Sequence, residues 1–354
     1  MASSVSLTVR KTLNSQLSTL NFPSMYALLM AGGGGTRLWP VSTEEKPKQF
    51  QAFFDNRSLL RTTYERILPI IPPDQIWLAA NSKHSQLIQK SLPELPLNHC
   101  IFEPARRDNA PAIAVSQVLM QAAGLDLESV IVMLPCDHKI GNETELRRLL
   151  QLGERFLLKN PHYLLTIGIK PEYPETGYGY IKCTDSFLLP EVLKAERFVE
   201  KPDAIRAQEY VTSGQYVWNS GIYMWTLRSM IEWLKQYLPE TYQKLDHNIH
   251  NWHTIYETLE SISLDYSISE KVEHLATIPS DNLSWSDIGD FKALGIHSIG
   301  KVASLDSSHC YIRNDTNQIV KVIGVENLII VNTKDGLLVC DRNRSQDIKK
   351  LTHH

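Results

Sequence analysis

Four short apolar runs, each followed by a stretch of helical periodicity, restrict the fold of this 354-residue chain more than any other feature. The runs are Tyr26-Ala27-Leu28-Leu29-Met30, Gln75-Ile76-Trp77-Leu78-Ala79-Ala80, Val130-Ile131-Val132-Met133-Leu134 and Leu164-Leu165-Thr166-Ile167-Gly168-Ile169. Uniformly apolar runs of this length read as strands buried on both faces. Between them, residues 58–68, 82–92, 110–123 and 143–158 place apolar side chains at helical spacing. Alternating strand and helix predicts an α/β architecture with a parallel sheet, helices on both faces and right-handed crossovers. After about residue 175 the pattern becomes mixed, with short strands expected. From about residue 296, runs such as Gln318-Ile319-Val320-Lys321-Val322-Ile323 and Leu328-Ile329-Ile330-Val331 alternate with turn residues and predict a small all-β appendage. The resulting division is an N-terminal extension over 1–24, a main domain over 25–295 and a β-rich region over 296–354. Residues 1–24 contain no acid and lack the apolar stretch of a secretory signal; a disordered extension is expected there.

The first strand runs into Ala31-Gly32-Gly33-Gly34-Gly35-Thr36-Arg37-Leu38-Trp39-Pro40. Four glycines cost backbone entropy, which makes sense where the backbone must approach a ligand closely. Glycine turns after a strand present N–H groups to phosphates. Two familiar phosphate loops do not fit. A GxGxxG fingerprint would need glycine where Arg37 or Leu38 stands, and a P-loop would need Gly-Lys there. This loop instead carries its own cation, Arg37, followed by Lys48 in Lys46-Pro47-Lys48-Gln49-Phe50. The net charge of −3 leaves no broad basic surface for nucleic acid or anionic lipid, so an anionic substrate must be met by a few placed cations. No apolar run approaches the length of a membrane span. Five scattered cysteines with no CxxC pair predict free thiols in a reducing, cytoplasmic setting rather than a disulfide framework or a zinc site.

The segment GGGGTRLWPVSTEEKPKQF resembles the signature GGxGTRLxPxTxxxPK of the sugar-nucleotide pyrophosphorylases, and Trp39 with the PKQF ending resembles their GDP-mannose branch. Further segments fall in that family's order over roughly residues 25–350. The resemblance implies a Rossmann-like, GT-A-like nucleotidyltransferase domain with a mixed, mostly parallel sheet, acting on GTP and mannose 1-phosphate with Mg²⁺. It implies nucleotide contacts from Ala31, Gly32, Gly33, Gly34, Gly35 and Thr36, and a base pocket at Glu103-Pro104-Ala105-Arg106-Arg107-Asp108-Asn109-Ala110-Pro111-Ala112-Ile113. There Asp108 and Asn109 replace the family's Asn-Thr. Either residue could equally cap the following helix, which is compatible with base contact. Arg37 and Lys48 become the catalytic cations: Arg37 can grip phosphate bidentately, whereas Lys48 is a point charge. Asp137, in Leu134-Pro135-Cys136-Asp137-His138, follows a buried strand at the edge where ligands bind in such sheets. With Asp287 of Ser284-Trp285-Ser286-Asp287-Ile288-Gly289 it is the implied metal pair. His138 is expected to be structural. On the sugar-phosphate side the resemblance assigns backbone contact to Gly179, hydroxyl contacts to Glu200 and Asn219, and the phosphate to Lys201.

Bringing a nucleoside triphosphate to a sugar phosphate gathers about six negative charges, and each unscreened pair at 4 Å repels by roughly 4 kcal/mol near a protein surface. Fixed cations and a metal answer that demand. Some relatives continue into a phosphomannose isomerase domain, an activity not expected of this chain. UTP or dTTP with glucose 1-phosphate is the alternative substrate pair. A non-catalytic nucleotide-sugar-binding subunit would tend to lose Arg37, Lys48 or an acid, and all four are present. A dinucleotide-dependent oxidoreductase fails on the glycine spacing. The sequence does not fix the oligomeric state; a homodimer is compatible with it.

Overall fold

The computed structural model describes residues 24–33 and 35–351, so the expectations for residues 1–23 and for Gly34 lie outside the described residues. The strands that follow are β1 (Met25–Met30), β2 (Ile76–Asn81), β3 (Cys100–Glu103), β4 (Val130–Pro135), β5 (Lys139–Ile140) and β6 (Leu164–Ile169). Then come β7 (Tyr180–Leu189), β8 (Val192–Val199), β9 (Tyr216–Thr226), β10 (Leu275–Ser280) and β11 (Trp285–Ser286). Nine of these form one sheet in the order β3-β2-β1-β4-β9-β6-β10-β8-β7. β1 to β4 pair in parallel, as do β6 and β10, while β9 runs antiparallel between β4 and β6.

The apolar runs are uniform because both faces of the sheet are covered. Ala27, Leu29, Val130, Val132 and Leu134 enter one core; Leu28, Ile131 and Met133 enter the other. The helices Leu59–Ile67 and Glu143–Leu157 close the first core through Leu60, Tyr64, Leu146, Leu149, Leu150 and Phe156. Burying each such side chain is worth roughly 1.5–3 kcal/mol. Asn142 starts the second of these helices by accepting a hydrogen bond from Glu145 N at 3.1 Å. The helices Asn109–Ala122, Leu227–Tyr237 and Pro239–Asn248 cover the other face.

Two of the strands after residue 175 are longer than the short strands expected there: β7 has 10 residues and β9 has 11, whereas β11 has 2. The reason lies in Trp218-Asn219-Ser220-Gly221, which is composed like a turn but sits inside β9. Gly221 adopts φ 74°, and the pairing with β6 shifts register between Thr166 and Gly168. Turn residues at that point make a bulge instead of ending the strand. Because β9 also pairs with β7, the pairings β9–β6–β10–β8–β7 return on themselves.

The β-rich C-terminal region comprises β12 (Ser298–Gly300), β13 (Val302–Leu305), β14 (Tyr311–Asn314), β15 (Val320–Ile323), β16 (Leu328–Thr333) and β17 (Gly336–Asp341), followed by a 3₁₀ segment Arg342–Lys350. β12, β14 and β16 stack in parallel, as do β13 and β15, so the chain winds as coils of a β-helix. Gly300 turns one corner where a Cβ would lie 2.0 Å from Asn314 O. Asn332 Nδ2 donates to Asn314 Oδ1 at 3.1 Å, stacking one coil on the next. A third core joins these coils to the main domain: Leu38, Val41, Phe53 and Leu59 meet Ile288, Phe291, Tyr311, Ile329, Val331 and Ile348. Among the described residues no helix is long and apolar enough to cross a membrane. All five cysteines are free thiols.

Candidate active site

The nucleotide-side segments gather at the carboxyl ends of β1, β2 and β3. Past β1, Ala31 N donates to Ala79 O at 2.8 Å, and buried Gln49 Nε2 donates to Ala31 O at 2.7 Å, pinning the start of the glycine loop. A Cβ at Gly32 or Gly33 would meet nothing within 4 Å, so packing does not explain Gly32, while Gly33 holds φ 96°, a conformation that favours glycine. Gly35 is different: its φ is 57°, and a Cβ would lie 2.5 Å from Ser42 Oγ and 2.8 Å from Lys48 Cβ. Thr36 and Arg37 begin a 3₁₀ turn whose next residue, Leu38, is buried in the third core. Both are exposed, and Arg37 makes no ion pair among the described residues.

A cleft of about 320 Å³ joins Ala31, Gly32 and Gly33 to Glu103, Asp108 and Asn109. Asp108 caps the helix Asn109–Ala122, accepting from Asn109 N at 2.8 Å, and holds φ 61°. Asn109 Oδ1 accepts instead from Leu264 N at 2.7 Å, tying the cleft to a segment far along the chain. The Glu103 carboxyl accepts the Tyr256 hydroxyl; burial pushes it up to about 7 despite that bond.

Asp137 and Asp287 come together through the two-residue antiparallel ribbon β5–β11, which joins the PCDH and WSDIG segments. The strands approach so closely that a Cβ at Gly141 would lie 2.7 Å from Ser284 Cβ. Buried Lys48 fills the junction: its Nζ lies 2.8 Å from Asp137 Oδ2 and donates to Asp287 O at 2.7 Å. Burial raises the Asp137 carboxyl, but the Lys48 ammonium and His138 outweigh it and leave the group below its ordinary value. Asp287 Oδ1 accepts the Tyr178 hydroxyl at 2.7 Å and Gly289 N at 3.2 Å. His138 Nε2 is 3.6 Å from Asp137 Oδ1, and its Nδ1 accepts from Trp285 Nε1 at 3.2 Å. Burial lowers its pKa, favouring the neutral ring. Among the described residues no group of three or more His, Cys, Asp or Glu side chains could hold a metal.

Gly179, Glu200, Lys201 and Asn219 also converge. Asn219 N donates to Gly179 O at 2.8 Å, and a Cβ at Gly179 would strike Phe198 Cζ and Glu200 Oε2. Lys201 is paired with Glu200. The Asn219 carboxamide is held entirely within the protein. Its Oδ1 accepts from Thr166 Oγ1 and Gly221 N, and its Nδ2 donates to Tyr223 and Asp265. Asp265, Tyr178 and Gln49 are site neighbours to which sequence reasoning gave no role. Gln49 sits in the Lys46–Phe50 segment and Tyr178 immediately precedes Gly179, so both could have been suspected. Asp265 follows no motif and is brought in by the π-helical turn Asp265–Ser269.

The nucleotidyl transferase family matches residues 26–298, and the MannoseP isomerase/GMP-like beta-helix domain matches residues 300–354. The chain belongs to the nucleotidyl transferase family. Members of that family similar to it include a Klebsiella pneumoniae protein named mannose-1-phosphate guanylyltransferase, 37% identical over 91% of this chain and 72% of that one. The alginate biosynthesis protein AlgA of Pseudomonas fluorescens is 32% identical over 92% of this chain and 71% of its own. A solved structure from Thermus thermophilus, named mannose-1-phosphate geranyltransferase, superposes with a TM-score of 0.85 at 28% identity and covers 93% of this chain and 98% of that one. The membership expected from the glycine loop is met, as is the mixed, mostly parallel sheet with a β-rich C-terminal region.

Proposed function

We propose that this chain is a mannose-1-phosphate guanylyltransferase, converting mannose 1-phosphate and GTP to GDP-mannose and pyrophosphate. The observation that carries the reading is the junction at Lys48, where one buried ammonium meets the Asp137 carboxylate and the Asp287 segment between the nucleotide-side cleft and the Gly179/Glu200/Lys201 cluster. The choice of GTP and mannose 1-phosphate rests on the names of the similar proteins and on the acids at the cleft. Carboxylates and amides suit the N1–H and N2–H₂ donors of guanine.

A sugar-phosphate oxygen attacks the α-phosphorus of GTP in line; one P–O bond forms as the bond to pyrophosphate breaks. The attacking phosphate is already ionised at pH 7, so no protein nucleophile is required. Lys48 and Arg37 offset charge on the phosphates, and the glycine loop offers backbone N–H groups. The all-oxygen donor set of Asp137 and Asp287 fits Mg²⁺, which keeps waters and takes other ligands from phosphates. When bound, that ion would further neutralise the reacting phosphates. Lys201 receives the sugar phosphate once it leaves Glu200, and Glu200 is then open to sugar hydroxyls.

Four nucleoside triphosphates crossed against mannose and glucose 1-phosphates test this. GTP with mannose 1-phosphate should give the highest kcat/KM, by about 10-fold or more, a margin of roughly 1.4 kcal/mol. A higher value for UTP or dTTP with glucose 1-phosphate would overturn the substrate assignment.

A further inference from the structure

The sugar-phosphate side contains an amide whose donors are both taken and a carboxylate with capacity to spare. A carboxamide offers two acceptor positions and two donors. At Asn219 both donors are used: Nδ2 gives to Tyr223 Oη at 2.9 Å and Asp265 Oδ1 at 3.2 Å, while Oδ1 takes Gly221 N at 3.1 Å and competes with Ile222 O for the single Thr166 hydroxyl proton, 3.1 against 3.0 Å. A sugar oxygen could accept from this amide only by displacing Tyr223 or Asp265. Asp265 Oδ1 takes the Tyr223 hydroxyl at 2.6 Å together with the Asn219 amide. An ionised carboxylate has about four acceptor sites over its two oxygens, so Oδ2 retains acceptor capacity.

Position reinforces the contrast. Asp265 is electrostatically coupled to both Glu200 and Lys201, the two charged residues of the sugar-phosphate side. It opens the π-helical turn Asp265–Ser269, a rare geometry that recurs at functional sites. The same stretch is tied down at both ends: Leu264 N donates to Asn109 Oδ1 at 2.7 Å, and Glu270 Oε1 accepts from Glu200 N at 3.4 Å. Burial raises the Asp265 carboxyl to about 6, against the lowering effect of the Tyr223 hydroxyl, so the ionised form prevails at pH 7.

We propose that Asp265, together with Glu200, presents the acceptors that recognise hydroxyls of the hexosyl phosphate, and that Asn219 is the strut holding Asp265 in place. Asp265 is thus a specificity-determining residue for a polyhydroxylated ligand, and the Asn219–Tyr223 pair positions it. This rests on the reading of the chain as a hexose-1-phosphate nucleotidyltransferase.

The test crosses variants with substrates. The wild type, Asp265→Asn, Asp265→Ala and Asn219→Ala are assayed with mannose 1-phosphate and its 2-, 3-, 4- and 6-deoxy analogues, with folding checked by thermal melting. Loss of a hydrogen bond to a charged acceptor costs about 10- to 100-fold in kcat/KM. At one hydroxyl position the deoxy analogue should lose that factor with the wild type and lose little more with Asp265→Ala, because the contact is already gone. Asp265→Asn, which keeps one acceptor oxygen, should retain part of the discrimination. With Asn219→Ala, hydroxyl discrimination should weaken at the same position. If the losses from Asp265→Ala and from every deoxy analogue simply multiply, Asp265 touches no hydroxyl and the proposal is overturned. Should Asp265→Ala fail to fold, Asp265→Asn decides by the same comparison. If the wild type turned over no hexose 1-phosphate, the functional reading itself would fall, and that outcome is distinct from multiplicative losses.

Discussion

The two flanks of Lys48 are built on opposite principles. The nucleotide flank is a backbone structure: a glycine loop with open space beside Gly32 and Gly33 where a side chain would be, and a cation, Arg37, left exposed without an ion pair among the described residues. It is held from behind. Leu38 and Val41 lie in the core shared with the C-terminal coils, and Arg313 Nη1 donates to Ala52 O at 3.0 Å. The sugar-phosphate flank is a side-chain structure, in which Asn219, Tyr223 and Asp265 bond to one another and Lys201 pairs with Glu200. The lesson is about how each flank fails. On the first, function can be removed with little change in stability. On the second, a substitution disturbs its neighbours as well as the ligand.

The largest effect belongs to neither flank but to the junction. Asp137→Asn or Asp287→Asn should lower turnover by about 100-fold or more, far beyond the change in melting temperature. Near wild-type turnover at saturating Mg²⁺ would show that the acids do not form the catalytic junction.

Arg37→Ala and Lys201→Ala then separate the flanks, each with a loss of about 10- to 100-fold. Arg37→Ala should depress kcat, since charge develops on the departing pyrophosphate. Lys201→Ala should raise KM chiefly for mannose 1-phosphate. Initial rates with each substrate varied in turn decide this, and an effect of Lys201→Ala on GTP alone would reverse the assignment.

Glu103 gives the nucleotide flank a pH signature. Burial raises its carboxyl from an ordinary 4.5 to about 7. Such a group contributes stability that is fully present below its unfolded value and is lost as pH rises through the folded value. Denaturant melts across pH 4.5 to 7.5 should therefore show a loss with rising pH, at most about 3 kcal/mol from this group, that is absent in Glu103→Gln. Parallel curves for the two proteins would contradict the raised value.

The smallest effects contrast two glycines of one loop. Gly35→Ala should cost about 1–3 kcal/mol of stability, because its φ is positive and its Cβ would strike Ser42 and Lys48. Gly32→Ala meets nothing, so its stability should move by less than about 0.5 kcal/mol while the KM for GTP rises. Equal destabilisation by both would remove the distinction between a packed and an open glycine.

Most of the main domain was legible up to residue 175, because strands buried on both faces alternate with amphipathic helices such as Glu143–Leu157. Legibility ends at β9, where Asn219-Ser220-Gly221 has the composition of a turn but makes a bulge. The C-terminal strands were visible as strands, but not their winding: parallel coils are defined by contacts such as Asn314 with Asn332, which local alternation does not encode. In the candidate site, Lys48, Asp137 and Asp287 each sit in a contiguous motif and could be read directly. Asp265 could not, since it reaches Asn219, 46 positions earlier, only through a π-helical turn.

The central claim is direct transfer: the sugar phosphate attacks GTP with no guanylylated protein intermediate. The junction contains two side chains able to act otherwise, Lys48 and His138, whose Nζ and Nε2 lie 2.8 and 3.6 Å from the Asp137 carboxylate. The configuration at phosphorus decides between direct transfer and a protein nucleophile. GTP bearing sulfur on the α-phosphorus as a single diastereomer is turned over with mannose 1-phosphate, and the configuration of the thio-substituted GDP-mannose is determined. A single in-line displacement predicts inversion. Retention would mean two displacements through a protein nucleophile, and would contradict the account.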